Sequence, residues 1–264
     1  MLYSDIEKGI DPENNPNLTH SQVMGVAKWY NVFTGPNCEE VWFGDDGRGS
    51  VLTANPMFCK GSLFTITLDV VLDGHDPYAF FECDVHLSVM EDEEVVTRMQ
   101  ALMVNLGSRS VDEKKGWFGR TKQTSAPLTG FTGKTMQARI AVFAYEVAYF
   151  NTEDEYWAST ATQENSDDDQ LTLGSTSFMP SGMFPDEQGQ TSPLGFGVGS
   201  VKTCGTANSA FSGPDYHWAV VETLGGDFGV VWSPEEAGPA QEGGFLSYGG
   251  MLIAKWEKIE NLDA

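Results

Sequence analysis

Two segments of this chain alternate between apolar and polar residues, and this period of two constrains the fold more than any other feature. The apolar face of residues 62–72 consists of Phe64, Ile66, Leu68, Val70 and Leu72. The apolar face of residues 80–90 consists of Phe81, Cys83, Val85, Leu87 and Val89. Successive side chains of a strand point to opposite faces of a sheet, so each segment is expected to be a strand with one face in a core.

Further strands are predicted along the rest of the chain, at residues 23–33, 40–43, 50–53, 135–150, 194–201, 216–224, 227–232 and 245–259. Turn formers at 44–47 and the Gly225-Gly226 pair favour hairpins at those points. The chain has 29 Gly and 12 Pro, so turns are frequent. We therefore predict an all-β fold, a jelly roll or β-sandwich of roughly eight to ten strands with long loops and one short helix.

The one helix is predicted at residues 91–106. The acidic residues 91–94 would stabilise the N-terminus of a helix, and Gly107 would end it. Apolar residues recur behind them at helical spacing, at Val95, Met99, Leu102 and Leu106. A strand is the alternative, because polar and apolar residues also alternate between positions 95 and 101.

The 264 residues are expected to form one large domain. Residues 1–20 are polar and contain two prolines, which indicates an extended N-terminal arm. Residues 21–264 are predicted to be a single β domain with long loops at 108–134 and 151–193. Connections longer than about 15 residues are uncommon in a compact domain unless they are functional or disordered, so both loops are candidates for function.

The chain is strongly acidic, with a formal net charge of -23 from 38 Asp and Glu against 15 Lys and Arg. Such a protein repels phosphates and anionic lipids, so we expect neither direct nucleic-acid binding nor membrane insertion. The first residues show no signal peptide, which favours a cytoplasmic or virion location. The four Cys residues match no zinc or redox spacing and are expected to be reduced thiols.

Basic and aromatic residues nevertheless cluster in one short segment, residues 109–122, which we call the basic stretch. Its candidate interface residues are Arg109, Lys114, Lys115, Trp117, Phe118, Arg120 and Lys122. Arg and aromatic residues are enriched at interface hot spots, and opposite charge on a neighbour steers association. The basic stretch is therefore predicted to bind the acidic surface of another copy of the chain. The alternative is a solvated loop whose Trp117 folds back onto its own core.

The motifs of common enzyme classes are missing from the sequence, which contains no GxSxG, P-loop or HExxH pattern. The densest set of potential metal ligands is Asp84 and His86 on one strand face, with His75, Asp76 and Cys83 close in sequence. A third ligand, such as His217, would have to come from another strand. The simpler interpretation is an exposed polar strand face. We therefore predict a non-enzymatic protein with no metal and no cofactor.

Three glycines, Gly195, Gly197 and Gly199, share one face of the strand predicted at 194–201. Their spacing does not match a dinucleotide-binding fingerprint. A stripe of this kind indicates the close approach of another backbone, or a sharp bend.

These features favour a structural subunit that self-assembles, such as a viral or phage coat protein or another virion component. The β pattern, the long loops, the polar arm and the uneven charge all point this way. Its partners would be copies of itself and other virion proteins.

Two alternatives remain open. The Trp29-Tyr30 pair, followed by the Asp-Asp-Gly turn, resembles the first strand of lipocalin-like barrels. The resemblance implies a hollow barrel that binds a small apolar ligand, lined by aromatics such as Trp29 and Tyr149. The other alternative is a glycan-binding or glycan-cleaving β-sandwich, with exposed Trp or Tyr along a cleft and paired carboxylates if it is catalytic.

Overall fold

The computed structural model describes residues 30–34, 39–45, 51–71, 82–104, 114–115, 121–122, 131–163, 173–180, 191–208 and 215–259. Within these residues the chain is mostly β-structure, with a single short helix. The all-β prediction is thereby confirmed.

The strands in chain order are β1 Tyr30–Thr34, β2 Glu39–Asp45, β3 Val51–Phe58, β4 Leu63–Val71, β5 Glu82–Glu91, β6 Glu94–Val104, β7 Lys114–Lys115, β8 Thr121–Lys122, β9 Thr135–Phe150, β10 Phe178–Pro180, β11 Leu194–Asn208, β12 Asp215–Thr223, β13 Gly226–Trp232 and β14 Phe245–Ile259. The helix, α1, is Glu153–Gln163 and follows β9 directly.

Nine of these strands form one sheet in the order β10-β11-β12-β13-β9-β14-β6-β5-β4. Two further pairings, β11 with β14 and β4 with β9, fold this sheet back onto itself twice. Both closures share the long antiparallel pair of β9 and β14, which stays in contact from Phe245↔Phe150 to Ile259↔Met136. This pair is the centre of the molecule.

The inward face of the sheet is filled by one continuous hydrophobic core. Strands β4, β5 and β6 contribute alternate residues, as the period of two predicts; among them Ile66, Leu68, Val85, Leu87 and Ala101 are fully buried. The other end of the core is closed by Trp232 and Tyr248, with Phe228 stacked against Phe178 at a centroid distance of 4.1 Å.

A second, three-stranded sheet in the order β1-β2-β3 lies on the outward side of the large sheet. Its strand β3 contacts β13 and β14. Phe58 is 2% exposed, and its ring lies 5.9 Å from that of Trp218. The following segment is anchored to β13, because Ser62 N donates to Asp227 O at 2.7 Å. The hairpin predicted around the Asp-Asp-Gly turn is confirmed as the β2–β3 pair.

The β9–β14 pair therefore has two ends with different surroundings on its outward side. We call residues 136–143 with 251–259 the covered end, because the three-stranded sheet lies over this side. Four of its outward residues are buried, although they belong to the face opposite the core: Ala141, Phe143, Ile253 and Lys255. We call residues 146–150 with 245–249 the open end.

A β-bulge at Tyr145 separates the two ends. Glu146 pairs with Gly249 and Ala144 pairs with Gly250, so Tyr145 is an extra residue on β9. An extra residue reverses which side chains face inward. Before the bulge the even-numbered residues of β9 enter the core, whereas after it Val147 and Tyr149 pack against the core. Glu146, Ala148 and Phe150 consequently face outward.

The helix predicted at residues 91–106 is wrong. Residues 94–104 form strand β6, and the acidic residues before it are the exposed tip of the β5–β6 hairpin. At this tip Asp92 and Glu93 adopt φ values of 49° and 68°. The segment forms a strand because Met99, Ala101 and Met103 alternate into the core and pair with β5. This pairing buries them against residues distant in sequence, which a local helix would not do.

One side chain of β4 also departs from the prediction. The register between β4 and β5 shifts between Leu68 and Val70. Val70 is therefore 44% exposed, and Val71 is buried in its place.

The two long loops contain more structure than their composition predicted. Within 151–193 lie α1 and the short strand β10, and within 108–134 lies the β7–β8 hairpin. The predicted arm, residues 1–20, lies outside the described residues. In the part of the chain that the structure covers, no helix is long and apolar enough to cross a membrane.

Candidate functional site

The basic stretch is described in part, as a small hairpin. Lys114 pairs in register with Lys122, and Lys115 pairs with Thr121. These strands form a two-stranded sheet of their own. Arg109, Trp117, Phe118 and Arg120 lie outside the described residues.

Of the potential metal ligands, the described side chains of His86 and His217 lie on different strands and have separate partners. His86 lies on β5, with Nε2 3.4 Å from Thr191 Oγ1. His217 lies on β12, where Nδ1 is 2.8 Å from Thr206 Oγ1. Burial lowers the pKa of His217, an effect that the charge of Asp215 opposes. Among the described residues no three His, Cys, Asp or Glu side chains are grouped as metal ligands would be.

A groove of about 660 Å³ lies at the open end, between the outward face of the sheet and helix α1. Its floor is formed by the outward residues of three strands, and we refer to it as the α1 groove. The floor residues are Glu146, Ala148 and Phe150 of β9, Ser247 and Gly249 of β14, and Phe196 and Val198 of β11. The helix supplies one wall through Tyr156, Ser159 and Thr160, and Glu236 lies at the rim from the loop after β13.

The position of α1 is determined by its first turn. Thr152 Oγ1 accepts a hydrogen bond from Glu155 N at 3.2 Å, and the Glu155 carboxylate accepts from Asn151 N at 2.8 Å. This resembles a capping box, except that the Glu155 carboxylate accepts from Asn151 N, one residue before the N-cap Thr152, rather than from the N-cap itself. It holds the beginning of the helix directly against the end of β9.

Aromatic packing then fixes the helix against the sheet. Tyr156 is 4% exposed, its ring meets Phe150 edge-on at 5.5 Å, and its hydroxyl donates to Leu173 O. Burial raises the pKa of Tyr156, so the hydroxyl remains a donor. Trp157, the next residue, is 42% exposed beside the α1 groove and is held by Glu153.

The charge of the α1 groove is negative. Its described lining includes two exposed carboxylates, Glu146 and Glu236, and no Lys, Arg or His. The first turn of α1 adds Glu153, Asp154 and Glu155. Hydrogen bonds from Ser175 and Trp157 lower the pKa of Glu153, which favours its charged form. Aromatic rings and carboxylates together suit a ligand that is cationic and has apolar or aromatic parts.

On β11, neighbouring groups pack closely against the inward side of Gly195, Gly197 and Gly199. A Cβ on Gly197 would lie 2.5 Å from the Tyr248 ring, and one on Gly195 would lie 2.9 Å from Phe178 and Leu252. At Gly199 the obstacle is backbone, the Glu222 carbonyl oxygen at 2.0 Å. The predicted close approach is therefore present, partly to backbone and partly to aromatic side chains.

A second concave area lies on the outward face of β4, β5 and β6, beside His86. Its apolar residues are unusually exposed for their size: Val70 at 44%, Val95 at 46% and Val96 at 50%. Ser88 below them donates to Asp69 at 2.7 Å. We call this area the valine patch.

Cys59, Cys83 and Cys204 lie within the described ranges, and Cys204 is a thiol outside any disulfide. Cys204 Sγ donates to Ala240 O at 3.2 Å. Burial, and secondarily the charge of Glu242, raises the pKa of Cys204, which keeps it protonated and unreactive.

Comparison with known proteins gives no relatives: no protein family matches the chain, and neither does any curated protein or solved structure.

Sequence reasoning missed the α1 groove. The capping-box pattern Thr152-x-x-Glu155 was a local signal for α1 and would have placed the helix. The orientation of Glu146 had no local signal, because a bulge at Tyr145 depends on the partner strand β14.

Proposed function

We infer that this protein is a non-enzymatic structural subunit that assembles with copies of itself, as the coat protein or another component of a virus or phage particle. On this proposal its partners are other copies and neighbouring virion proteins, and it is found in the virion or in the cytoplasm of the host.

The observation that carries the proposal is the β7–β8 hairpin. An isolated two-stranded hairpin is marginal in water, and like charges paired across strands weaken it further. Here Lys114 is in register with Lys122, and within the described residues neither strand pairs with a larger sheet. The chain as a whole carries a charge of -23. An acidic surface on a neighbouring copy would supply the stabilisation that the hairpin lacks.

The valine patch adds support. Contiguous exposed apolar area is uncommon on a soluble monomer and commonly marks an interaction site. Three valines between 44% and 50% exposed line one concave area, together with the charged residues Asp69 and Arg98.

The filled interior also favours this proposal over a hollow ligand-binding barrel. The inward face carries large buried side chains, among them Trp232, Phe228 and Met103, where a lipocalin-like barrel would need open space. Tyr149 packs against this core.

The test is the particle mass of the purified protein by light scattering, from low to molar salt. A discrete multimer whose mass depends on salt is the expected result, because screening weakens contacts between exposed charges. Replacing Trp117 and Arg120 together by Ala should reduce assembly. A monomer at every concentration and salt would refute the proposal.

A further inference from the structure

The α1 groove has the features of a receptor for a basic, aromatic peptide segment. It is concave, it has aromatic residues on two sides, and its described lining is anionic. With a volume of about 660 Å³, it falls within the range of ordinary ligand sites, and it can enclose a few large side chains rather than a whole domain.

The chain itself contains one segment with the matching chemistry. Residues 109–122 include five basic residues and two aromatics: Arg109, Lys114, Lys115, Arg120 and Lys122 with Trp117 and Phe118. The remaining 250 residues hold ten of the fifteen basic residues, so no other part of the sequence combines positive charge and aromatics at this density.

We propose that the α1 groove of one copy binds the basic stretch of the next copy, with the aromatic residues of the stretch against Phe150 and Phe196 and its basic residues paired with Glu146 and Glu236. This proposal rests on the proposed function, because it assigns the contact through which copies assemble.

The contact is heterologous, because groove and stretch are different surfaces. A heterologous contact leaves an unused groove at one end of a row of subunits and an unused stretch at the other. Such contacts build rings when the rotation between copies closes and open arrays when it does not. A coat component needs contacts of this kind.

Charge determines the expected behaviour of the contact. The groove carboxylates Glu146 and Glu236 are exposed, so salt screens them, and association should slow as ionic strength rises. A neutral oligosaccharide in the same groove would show little dependence on salt or on charge reversal.

The experiment uses two full-length variants, each blocked at one side of the contact. The groove variant is Glu146→Lys with Glu236→Lys, and the stretch variant is Arg120→Glu with Lys122→Glu. Each is expected to be at least tenfold weaker in self-association than the unmodified chain by analytical ultracentrifugation. Their equimolar mixture is expected to form a discrete heterodimer, because the intact stretch of the first variant meets the intact groove of the second.

A matched control carries Glu94→Lys with Glu235→Lys. Both residues are exposed and outside the groove lining, and the change in net charge equals that of the groove variant. The control should assemble like the unmodified chain. Circular dichroism and thermal unfolding verify that all variants are folded.

The outcomes separate the two proposals. If the unmodified chain assembles but the groove variant assembles equally well, the groove contact is refuted and the structural role stands. If both variants are monomeric and their mixture also remains monomeric, the stretch does not bind another copy and the proposal fails. If the unmodified chain never assembles, the structural role and this contact both fail.

A photo-crosslinking amino acid in place of Trp117 gives an independent readout. Mixed with an affinity-tagged chain, it should crosslink between chains to a peptide from β9 or α1. Crosslinks confined to a single chain would overturn the proposal in favour of an intramolecular contact.

Discussion

The two ends of the β9–β14 pair carry opposite kinds of residues on the same outward face. At the covered end several of these residues are apolar and buried, with Ala141 and Ile253 at 0% and Phe143 at 6% exposure, beside the partly exposed pair of Arg139 and Glu257. At the open end they are Glu146, Ala148 and Ser247, which line the α1 groove. The same two strands therefore serve as a core element in one half and as a binding surface in the other.

The bulge at Tyr145 makes this difference compatible with one continuous sheet. Without the extra residue, the alternation of β9 would turn Glu146 into the core and Val147 out to solvent. A bulge can therefore turn one part of a buried strand into a surface site, because it reverses which side chains face outward while the strand stays in the same sheet.

Phe58→Ala should have the largest effect on stability, because it removes a fully buried ring from the layer over the covered end. We expect a loss of about 3–5 kcal/mol in the free energy of unfolding, measured with urea. The matched change at the open end, Phe150→Ala, should cost about 1 kcal/mol, since this ring is partly exposed. Equal losses would mean that the two ends are equally buried.

Gly250→Ala tests the bulge that divides the ends. A Cβ at this position would lie 2.3 Å from the Phe143 carbonyl oxygen and 2.6 Å from the Ala144 Cα, both backbone atoms. We expect a loss of about 1–3 kcal/mol, because strand β9 must move. Gly238→Ala, with no atom within 4 Å, is the control and should be neutral.

Tyr248→Phe tests the core beneath the open end. The Tyr248 hydroxyl is buried and has no hydrogen-bond partner in the described part of the chain, and burial raises its pKa. Removing it should stabilise the protein by about 1 kcal/mol. Tyr156→Phe, which removes a hydroxyl that does have an acceptor, should instead destabilise. A loss in both variants would reveal a partner for Tyr248.

Glu257→Gln compares carboxylates at the two ends. Glu257 at the covered end is 3.3 Å from Arg139 Nε and 3.7 Å from Lys255 Nζ, and Lys255 is 5% exposed. Weakening these pairs should cost about 1 kcal/mol, reduced from the value of a fully buried pair because Glu257 is partly exposed. Glu146→Gln at the open end should leave thermal stability unchanged, and a larger effect there would assign Glu146 a structural role.

The smallest expected effect is a loss of stability at low pH, caused by His217. The pKa of His217 is lowered from 6.5 in the folded protein, so the unfolded chain binds this proton more readily. Stability should therefore be complete above pH 6.5 and decline as the pH falls from 6.5 through the folded pKa. In urea unfolding, the unmodified chain should lose more stability over this window than His217→Gln. Parallel pH profiles would contradict the prediction.

Much of the fold could be predicted because its signals are local. The alternation of apolar and polar residues predicted β4 and β5, and the Gly225-Gly226 pair predicted the β12–β13 hairpin. Strands β9 and β14 have the bounds predicted for them. The misplaced helix shows the limit of such signals. The residues of β6 fit both the spacing of a helix and the alternation of a strand, and only pairing with β5 decided between the two. The α1 groove depends on three strands and a helix that are distant in sequence, so no window of residues could reveal it.

The central position of β14 also has a consequence for synthesis. This strand leaves the ribosome after every other described strand, yet it pairs with β9, β6 and β11. The long pair it forms with β9 joins residues about a hundred positions apart, and two neighbouring pairings are parallel. Sheets with such distant pairings form slowly, and their unpaired strand edges stay exposed until the last strand has paired. The nascent chain must therefore be held apart from its neighbours until its last strand arrives, and crowded copies would be most exposed to mispairing during that interval.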